Sequence, residues 1–450
     1  MRKNIYSFLL LILAPFSIVK LHAQHIVMIS IDGLRPDFYL DDSWPAPNLR
    51  QLMKQGTYAR HMRSVFPSYT YPSHTAMLTG ALPARSGICY NVPIGSKGEW
   101  NWFTRDIKVP TIWQSIKSAG MTSAAVEWPV SVDPNITYNI PEIWDPKDPE
   151  DRISEVRKYA TPGLIEEIES KATGKLDGYS MNEAWFSMDA HAGMMAAYIF
   201  RTYKPNLLAV HFAGVDGQEH NLGREGDSVR LAVAAADRAV GEVLEAIERS
   251  GLKDSCTVLI VGDHGFSDLR TVMRPNMLIK GMDASFVAAG GSAFLYVKKQ
   301  GAQRQAIIQS VKARLDSLPV AQKSMFRIID RKELDVMGAD SNAVLALAAF
   351  PGLVFSGAVT AKPASTGPGT TLQQGSIDGI FGAVKGGHHG YDPRIPDMYT
   401  GFIAAGAHIN KGKEIPDLCV TDIAPLLARL LHLPFNAPDG QMPQGVLKDL

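Results

Sequence analysis

The chain has 450 residues, of which 46% are apolar and 20% charged, a balance that suits a large buried core and excludes a disordered or fibrous protein. Its 45 basic residues are matched by 45 acidic ones, so nothing in the bulk charge points to nucleic acid and no duplex partner is expected. Length alone admits one large α/β domain or two ordinary ones.

Arg2 and Lys3 precede the apolar run FLLLILAPFSIV, and Leu21-His22-Ala23 leads into Gln24. This order of charge, apolar run and small residue reads as a secretory signal peptide over 1–23, cleaved after Ala23. The run is short and contains Pro15, so it is not read as a transmembrane anchor, and no later segment is apolar enough to cross a bilayer. The expected location is periplasmic or secreted. Cys89, Cys256 and Cys419 form no disulfide framework, and the simplest expectation is that all three are unpaired, Cys256 and Cys419 being buried.

The first apolar run of the mature chain is HIVMISID (25–32). PNLRQLMKQG (47–56) follows, with Pro at its start and Gly at its end, as a helix. The hydroxyl-rich stretch VFPSYTYPSHTAMLTG (65–80) holds Thr70 between Pro67 and Pro72 at the head of a helix-like segment. Further apolar runs are MTSAAVEW (121–128), NLLAVHFAGVD (206–216), CTVLIVGD (256–263) and YTGFIAAG (399–406). Runs of this length without alternation read as strands buried on both faces, hence a mainly parallel sheet. Residues 226–250 and TDIAPLLARLLHL (421–433) read as helices between or after them, the latter with Thr421 as its cap. The result is a three-layer α/β/α sandwich. Residues 24–450 are read as one catalytic domain with cap-type insertions at about 145–200 and 283–385. The second holds a strand–helix–strand unit (292–330) and the stretch PASTGPGTTLQQGS.

Asp32, Asp216, Asp263 and His264 all fall just past the C-terminal end of an expected strand, the edge where open α/β sheets bind ligands. His220 lies one helical turn beyond Asp216, and His389 sits in HHGYDPR. Taken singly, each has an ordinary reading as a turn cap or core histidine; Asp and His gathered without cysteine suit Zn²⁺, ahead of Mn²⁺ or iron. Six such residues exceed one open tetrahedral site and suit two ions, which can clamp the attacking and leaving oxygens of a displacement at phosphorus. Coordination would turn the Thr70 hydroxyl into a usable nucleophile, and the helix start behind it would supply N–H groups to phosphoryl oxygens. His74, His191, His211 and Asp189 are read as structural, and Met194-Met195 as core packing.

The ordered set DGLRPD, FPSYTYPSH, HFAGVDGQEH, GDHGFSD and HHGYDPR resembles the nucleotide pyrophosphatase/phosphodiesterase branch of the alkaline phosphatase superfamily, over about residues 25–435. EWPVS at 127–131 is similar to a Trp-Pro-Gly segment of that branch, with Val130 for the glycine. The resemblance implies an alkaline phosphatase-like fold and two Zn²⁺ per chain. One ion falls to Asp216, His220 and His389, the other to Asp32, Asp263, His264 and Thr70. It implies that Thr70 takes the phosphoryl group covalently and that a metal-bound hydroxide releases it, with retention at phosphorus. Family members often read Pro-Asn-His where this chain has Pro72-Ser73-His74, so Ser73 is the candidate for the phosphoryl-oxygen contact made there by an amide.

The expected substrate is a small phosphate diester or pyrophosphate, nucleotide-like or bearing a lipid or glycerol headgroup. Specificity is expected from the insertions and from Tyr69, Tyr71, Trp128 or Tyr391. A phosphomonoesterase or phosphonate hydrolase on the same ions is the alternative. A sulfatase is disfavoured because its Cys/Ser-x-Pro-x-Arg signature is absent at the nucleophile. A non-catalytic binding protein is disfavoured by the complete ligand set.

Overall fold

Eight strands form the central sheet of the computed structural model, which describes residues 24–182, 184–360 and 379–448. The expected leader at 1–23 and the run PASTGPGTTLQQGS lie outside the described residues. The strands are β1 (His25–Ile31), β2 (Thr57–Met62), β3 (Ser123–Val126), β4 (Tyr138–Ile140), β5 (Leu207–Phe212), β6 (Cys256–Val261), β7 (Thr400–Gly406) and β8 (Lys413–Ile415). Their spatial order is β8-β2-β7-β6-β1-β5-β3-β4. β1 runs parallel to both β5 and β6, and β3 to both β4 and β5. β7, the run YTGFIAAG, enters in the opposite sense between β6 and β2.

Successive side chains of a strand face opposite ways, so a strand apolar at every position needs cover on both faces. In β1, Val27, Ile29 and Ile31 join Leu49, Met195 and Val240, from the helices α1 (Pro47–Gln55), α4 (Ser187–Tyr203) and α6 (Asp227–Arg249). Ile26 and Met28 turn to the other layer, with Met77, Trp113 and Leu427 from α2 (Thr70–Thr79), α3 (Ile112–Ser118) and α7 (Ile423–Leu430). A further helix, α5 (Gly214–Leu222), follows β5 directly. The sandwich is therefore three layers deep, as the sequence implies.

Three details depart from the sequence reading. The stretch expected to be an excursion at 145–200 ends inside α4, whose Ala192, Met195 and Ile199 belong to the main core. Thr421 does not cap α7, which begins after a 3-10 turn at Val420–Asp422; Asp422 Oδ2 instead accepts the Cys419 N–H at 2.9 Å. Cys419 is half-buried, not buried, although all three cysteines are unpaired. The second insertion carries its own four-stranded antiparallel sheet, in the order Phe326–Ile329, Leu345–Ala349, Ser292–Val297, Ala284–Ala289. Helix Gly301–Asp316 packs on it through Val311 and Leu315. Among the described residues no helix is long and apolar enough to cross a membrane.

Candidate active site

Thr70 is the first residue of α2, with extended Tyr69 before it. Pro72 falls within the first turn, where a missing N–H costs nothing because no intrahelical acceptor exists for it. All ten residues of α2 are buried, so the helix start cannot drift. His74, one turn on, donates from Nδ1 to the Thr70 carbonyl at 2.8 Å, and its Nε2 accepts the Ser30 hydroxyl at 2.8 Å. Burial and the neighbouring His211 hold the His74 ring well below its ordinary pKa, so it braces the turn as a neutral group.

Two groups of side chains converge on that turn. In the first, His264 Nε2 lies 3.4 Å from Thr70 Oγ1, 3.3 Å from Asp32 Oδ1 and 3.1 Å from Asp263 Oδ2. Asp32 follows β1 and Asp263 follows β6, adjacent strands, and Asp263 Oδ1 accepts the Gly33 N–H at 3.1 Å. In the second, Asp216 Oδ2 lies 3.4 Å from His220 Nε2 and Asp216 Oδ1 lies 3.8 Å from His389 Nε2. The groups touch where the His264 and His389 rings stack, with centroids 3.6 Å apart and planes 7° from parallel.

This chemistry fits cations. His220 donates from Nδ1 to the Gly387 carbonyl at 3.2 Å, and His389 from Nδ1 to the Ser68 carbonyl at 2.9 Å. Each Nε2 then bears a lone pair facing a carboxylate oxygen, two acceptors with no proton between them. Burial pushes His264 down to about 4 and holds His220 and His389 low, so protonated rings do not resolve the conflict at neutral pH. Asp32 Oδ1 and Asp263 Oδ2 are buried and meet no hydrogen-bond donor among the described residues. Burial, then the charges of Asp263 and Asp216, drive the Asp32 carboxyl well above the usual range. A cation at each group relieves all of these at once, and histidines that donate their other nitrogen to carbonyls have the usual support of metal ligands. His388 is differently placed, since its Nδ1 accepts the His389 N–H at 3.0 Å and its proton must sit on Nε2.

The sequence matches the family described as type I phosphodiesterase / nucleotide pyrophosphatase over residues 26–357. The chain belongs to that family. Its α/β fold and its class, a hydrolase of phosphodiester or pyrophosphate bonds, agree with the sequence reading. It is 22% identical to human ectonucleotide pyrophosphatase/phosphodiesterase family member 7, over 93% of this chain and 82% of that one. It is 22% identical to murine bis(5'-adenosyl)-triphosphatase, over 93% of this chain and 80% of that one. Human ectonucleotide pyrophosphatase/phosphodiesterase 5 superposes with a TM-score of 0.69 at 20% identity, covering 95% of this chain and 100% of that one. The murine counterpart, an inactive variant in complex with AMP, gives 0.64 at 20% identity, covering 92% of this chain and 97% of that one.

Within this phosphodiesterase fold the seven residues Asp32, Thr70, Asp216, His220, Asp263, His264 and His389 come together. Ser73 is fully buried, and its hydroxyl shares a 2.8 Å hydrogen bond with Ser64. The amide beside Thr70 comes instead from Asn91, whose Oδ1 accepts the Tyr71 N–H at 3.0 Å and leaves its NH₂ as a donor. Nothing local in ICYNVP marks it, because its partner is a helix start twenty positions earlier. His211, read as structural, reaches the site directly, with Nε2 3.0 Å from Asp32 Oδ2 and Nδ1 on the Glu127 carbonyl at 3.1 Å. Asp189 accepts the Gly214 N–H at the start of α5, and His191 holds the Ser180 carbonyl. Tyr71, Trp128 and Tyr391 are fully buried, which leaves Tyr69 as the partly exposed aromatic of the four, edge-on to His389 at 4.8 Å.

Proposed function

We propose that this chain is an exported, two-zinc hydrolase of phosphate diesters or pyrophosphate bonds that works through a phospho-threonine at Thr70. The observation that carries it is the placement of one threonine hydroxyl, at a helix start, against two touching Asp/His groups that lack protons to share. Asp32, Asp263, His264 and Thr70 would hold one ion, and Asp216, His220 and His389 the other. When bound, the ions would lower the hydroxyl pKa and neutralise charge at the phosphoryl oxygens and leaving group.

The chain's own residues do the rest. α2 aims Thr70 Oγ1, His74 fixes the carbonyl behind it, and Oγ1 attacks phosphorus as the bond to the leaving oxygen breaks. Water then cleaves the Oγ1–phosphorus bond, and two in-line displacements give net retention. The Asn91 NH₂ and the Thr70 N–H would donate to the non-bridging oxygens where charge builds up. His211 Nε2 lies 3.0 Å from Asp32 Oδ2, beside the first group. A nucleotide-like ester is the favoured substrate, by analogy with the AMP held by the murine relative. The domain plan proposed is one catalytic unit carrying its insertions, exported after cleavage at Ala23.

Purified protein should cleave a chromogenic aryl phosphodiester, lose activity to a chelator and regain it with zinc. Asn91→Ala should lower kcat about 10²-fold with KM little changed, the loss typical of one oxyanion donor. A kcat/KM higher for aryl monoesters than for diesters would replace this reading by the phosphomonoesterase one.

A further inference from the structure

Two signature segments contain charged residues that hydrolysis leaves unused, Arg35 of DGLRPD and Glu219 of GQEH. They meet in the interior. Arg35 Nε donates to Glu219 Oε1 at 2.7 Å across 184 positions of sequence, and neither side chain is more than 2% exposed. The guanidinium is committed on every side. Nη1 donates to Asp37 Oδ2 at 2.7 Å and Nη2 to the Arg224 carbonyl at 2.7 Å, while Phe38 and Trp44 face its plane at 4.5 and 5.2 Å. Glu219 Oε2 would stand 2.7 Å from a Cβ at Gly33, whose φ of +70° also favours glycine, so the Asp32-Gly33 turn closes directly onto this carboxylate.

Asp32, in the first ion-holding group, thus precedes a glycine packed on Glu219, and His220, in the second, follows Glu219 in the chain. We propose that Arg35 and Glu219 are a positioning pair that sets the separation of the two groups, and hence of the two ions, a proposal that rests on the two-ion reading above. A buried ion pair is a poor device for stability, because an apolar pair of similar volume commonly does as well. A planar fork that binds two carboxylates and a backbone carbonyl at once, joining the 33–37 and 219–224 segments, is a good device for distance.

The test titrates metal-free protein with Zn²⁺ alone, reading stoichiometry and stepwise affinity, beside Tm, kcat and KM. Wild type should bind two equivalents. In Glu219→Gln and in Arg35→Lys the first equivalent should bind as in wild type and the second about 10- to 100-fold more weakly, with kcat falling in step and KM little changed. The paired variant Arg35→Met/Glu219→Leu should recover Tm without recovering the second affinity. Wild-type affinity for both ions in the single variants, or in the apolar pair, would overturn the positioning role. Should a single variant not fold, the apolar pair decides. A wild type that takes up one ion sinks the two-ion reading itself, a result distinguishable from the others.

Discussion

The two Asp/His groups are built differently. Asp32, Asp263 and His264 stand at the ends of β1 and β6, which pair residue by residue from His25 opposite Cys256 to Ser30 opposite Val261. That ladder fixes their spacing before any side chain packs. Asp216 and His220 sit on α5, and His389 comes from a distant loop, so their meeting depends on contacts made one at a time. Asp189 holds the start of α5, the Gly387 and Ser68 carbonyls hold the two histidines, and Arg327 and Arg394 hold Asp392 just beyond His389. A residue lost from the sheet-built group should resist rescue by excess metal, whereas one lost from the contact-built group should be rescued in part.

Thr70, the proposed nucleophile, sets the upper limit for such tests. Thr70→Ala should lower kcat by about 10⁴ or more, as loss of a nucleophile does elsewhere, with a stability change of about 1 kcal/mol. Burst kinetics should vanish with it. Substantial turnover in that variant would mean that both groups serve some other attacking atom.

One step down, the groups should separate. Asp263→Asn and His220→Asn should each cost about 10²–10³ in kcat, several kcal/mol of transition-state stabilisation. Excess zinc should restore much of the activity of His220→Asn, since Asp216 and His389 remain. It should not restore Asp263→Asn, because the one acceptor oxygen the amide keeps is claimed by the Gly33 N–H and its NH₂ offers no lone pair to an ion. Equal rescue of both would erase the distinction between a sheet-built and a contact-built group.

The contact-built group should also feel pH through the ion cluster behind it. Glu333 accepts Arg327 in two bonds of 2.8 Å and Arg394 in another, and these cations hold its carboxyl down at about 2, against an ordinary 4.5. A lowered folded-state pKa stabilises above the ordinary value and is lost as pH falls from there through about 2. The side chain is a third exposed, so solvent reduces the effect to about 0.5–1 kcal/mol. Melting curves should separate wild type from Glu333→Gln near neutrality and merge as the pH falls below the ordinary carboxylate value. A gap independent of pH and salt would mean that the cluster acts by packing alone.

What the sequence disclosed cuts across this division. Asp32, Asp216, Asp263 and His264 could be placed because each follows an apolar run read as a strand, a local pattern. β7 was recognisable as a strand, but a strand buried on both faces reads alike in either direction, so its reversal was not. Asn91, His211 and the Arg35–Glu219 pair act across separations of 20, 179 and 184 positions, for which local periodicity holds no signal. The aromatic residues near the two groups were visible, yet burial at Tyr71, Trp128 and Tyr391 comes from packing that composition does not report.

Ser73 gives the smallest expected effect. Its position beside Pro72 and His74 suggests a phosphoryl contact, but its hydroxyl already shares a bond with Ser64, and both serines are buried. Ser73→Ala should therefore cost stability, about 1 kcal/mol for the stranded Ser64 hydroxyl, while kcat/KM stays within about two-fold of wild type, because no transition-state contact is removed. Ser64→Ala should reproduce that stability loss, and the double variant should cost less than the sum, since each change strands the same bond. A large fall in kcat for Ser73→Ala, with Ser64→Ala silent, would mean that the hydroxyl turns to the substrate during turnover and joins Asn91 as a side-chain donor at this corner.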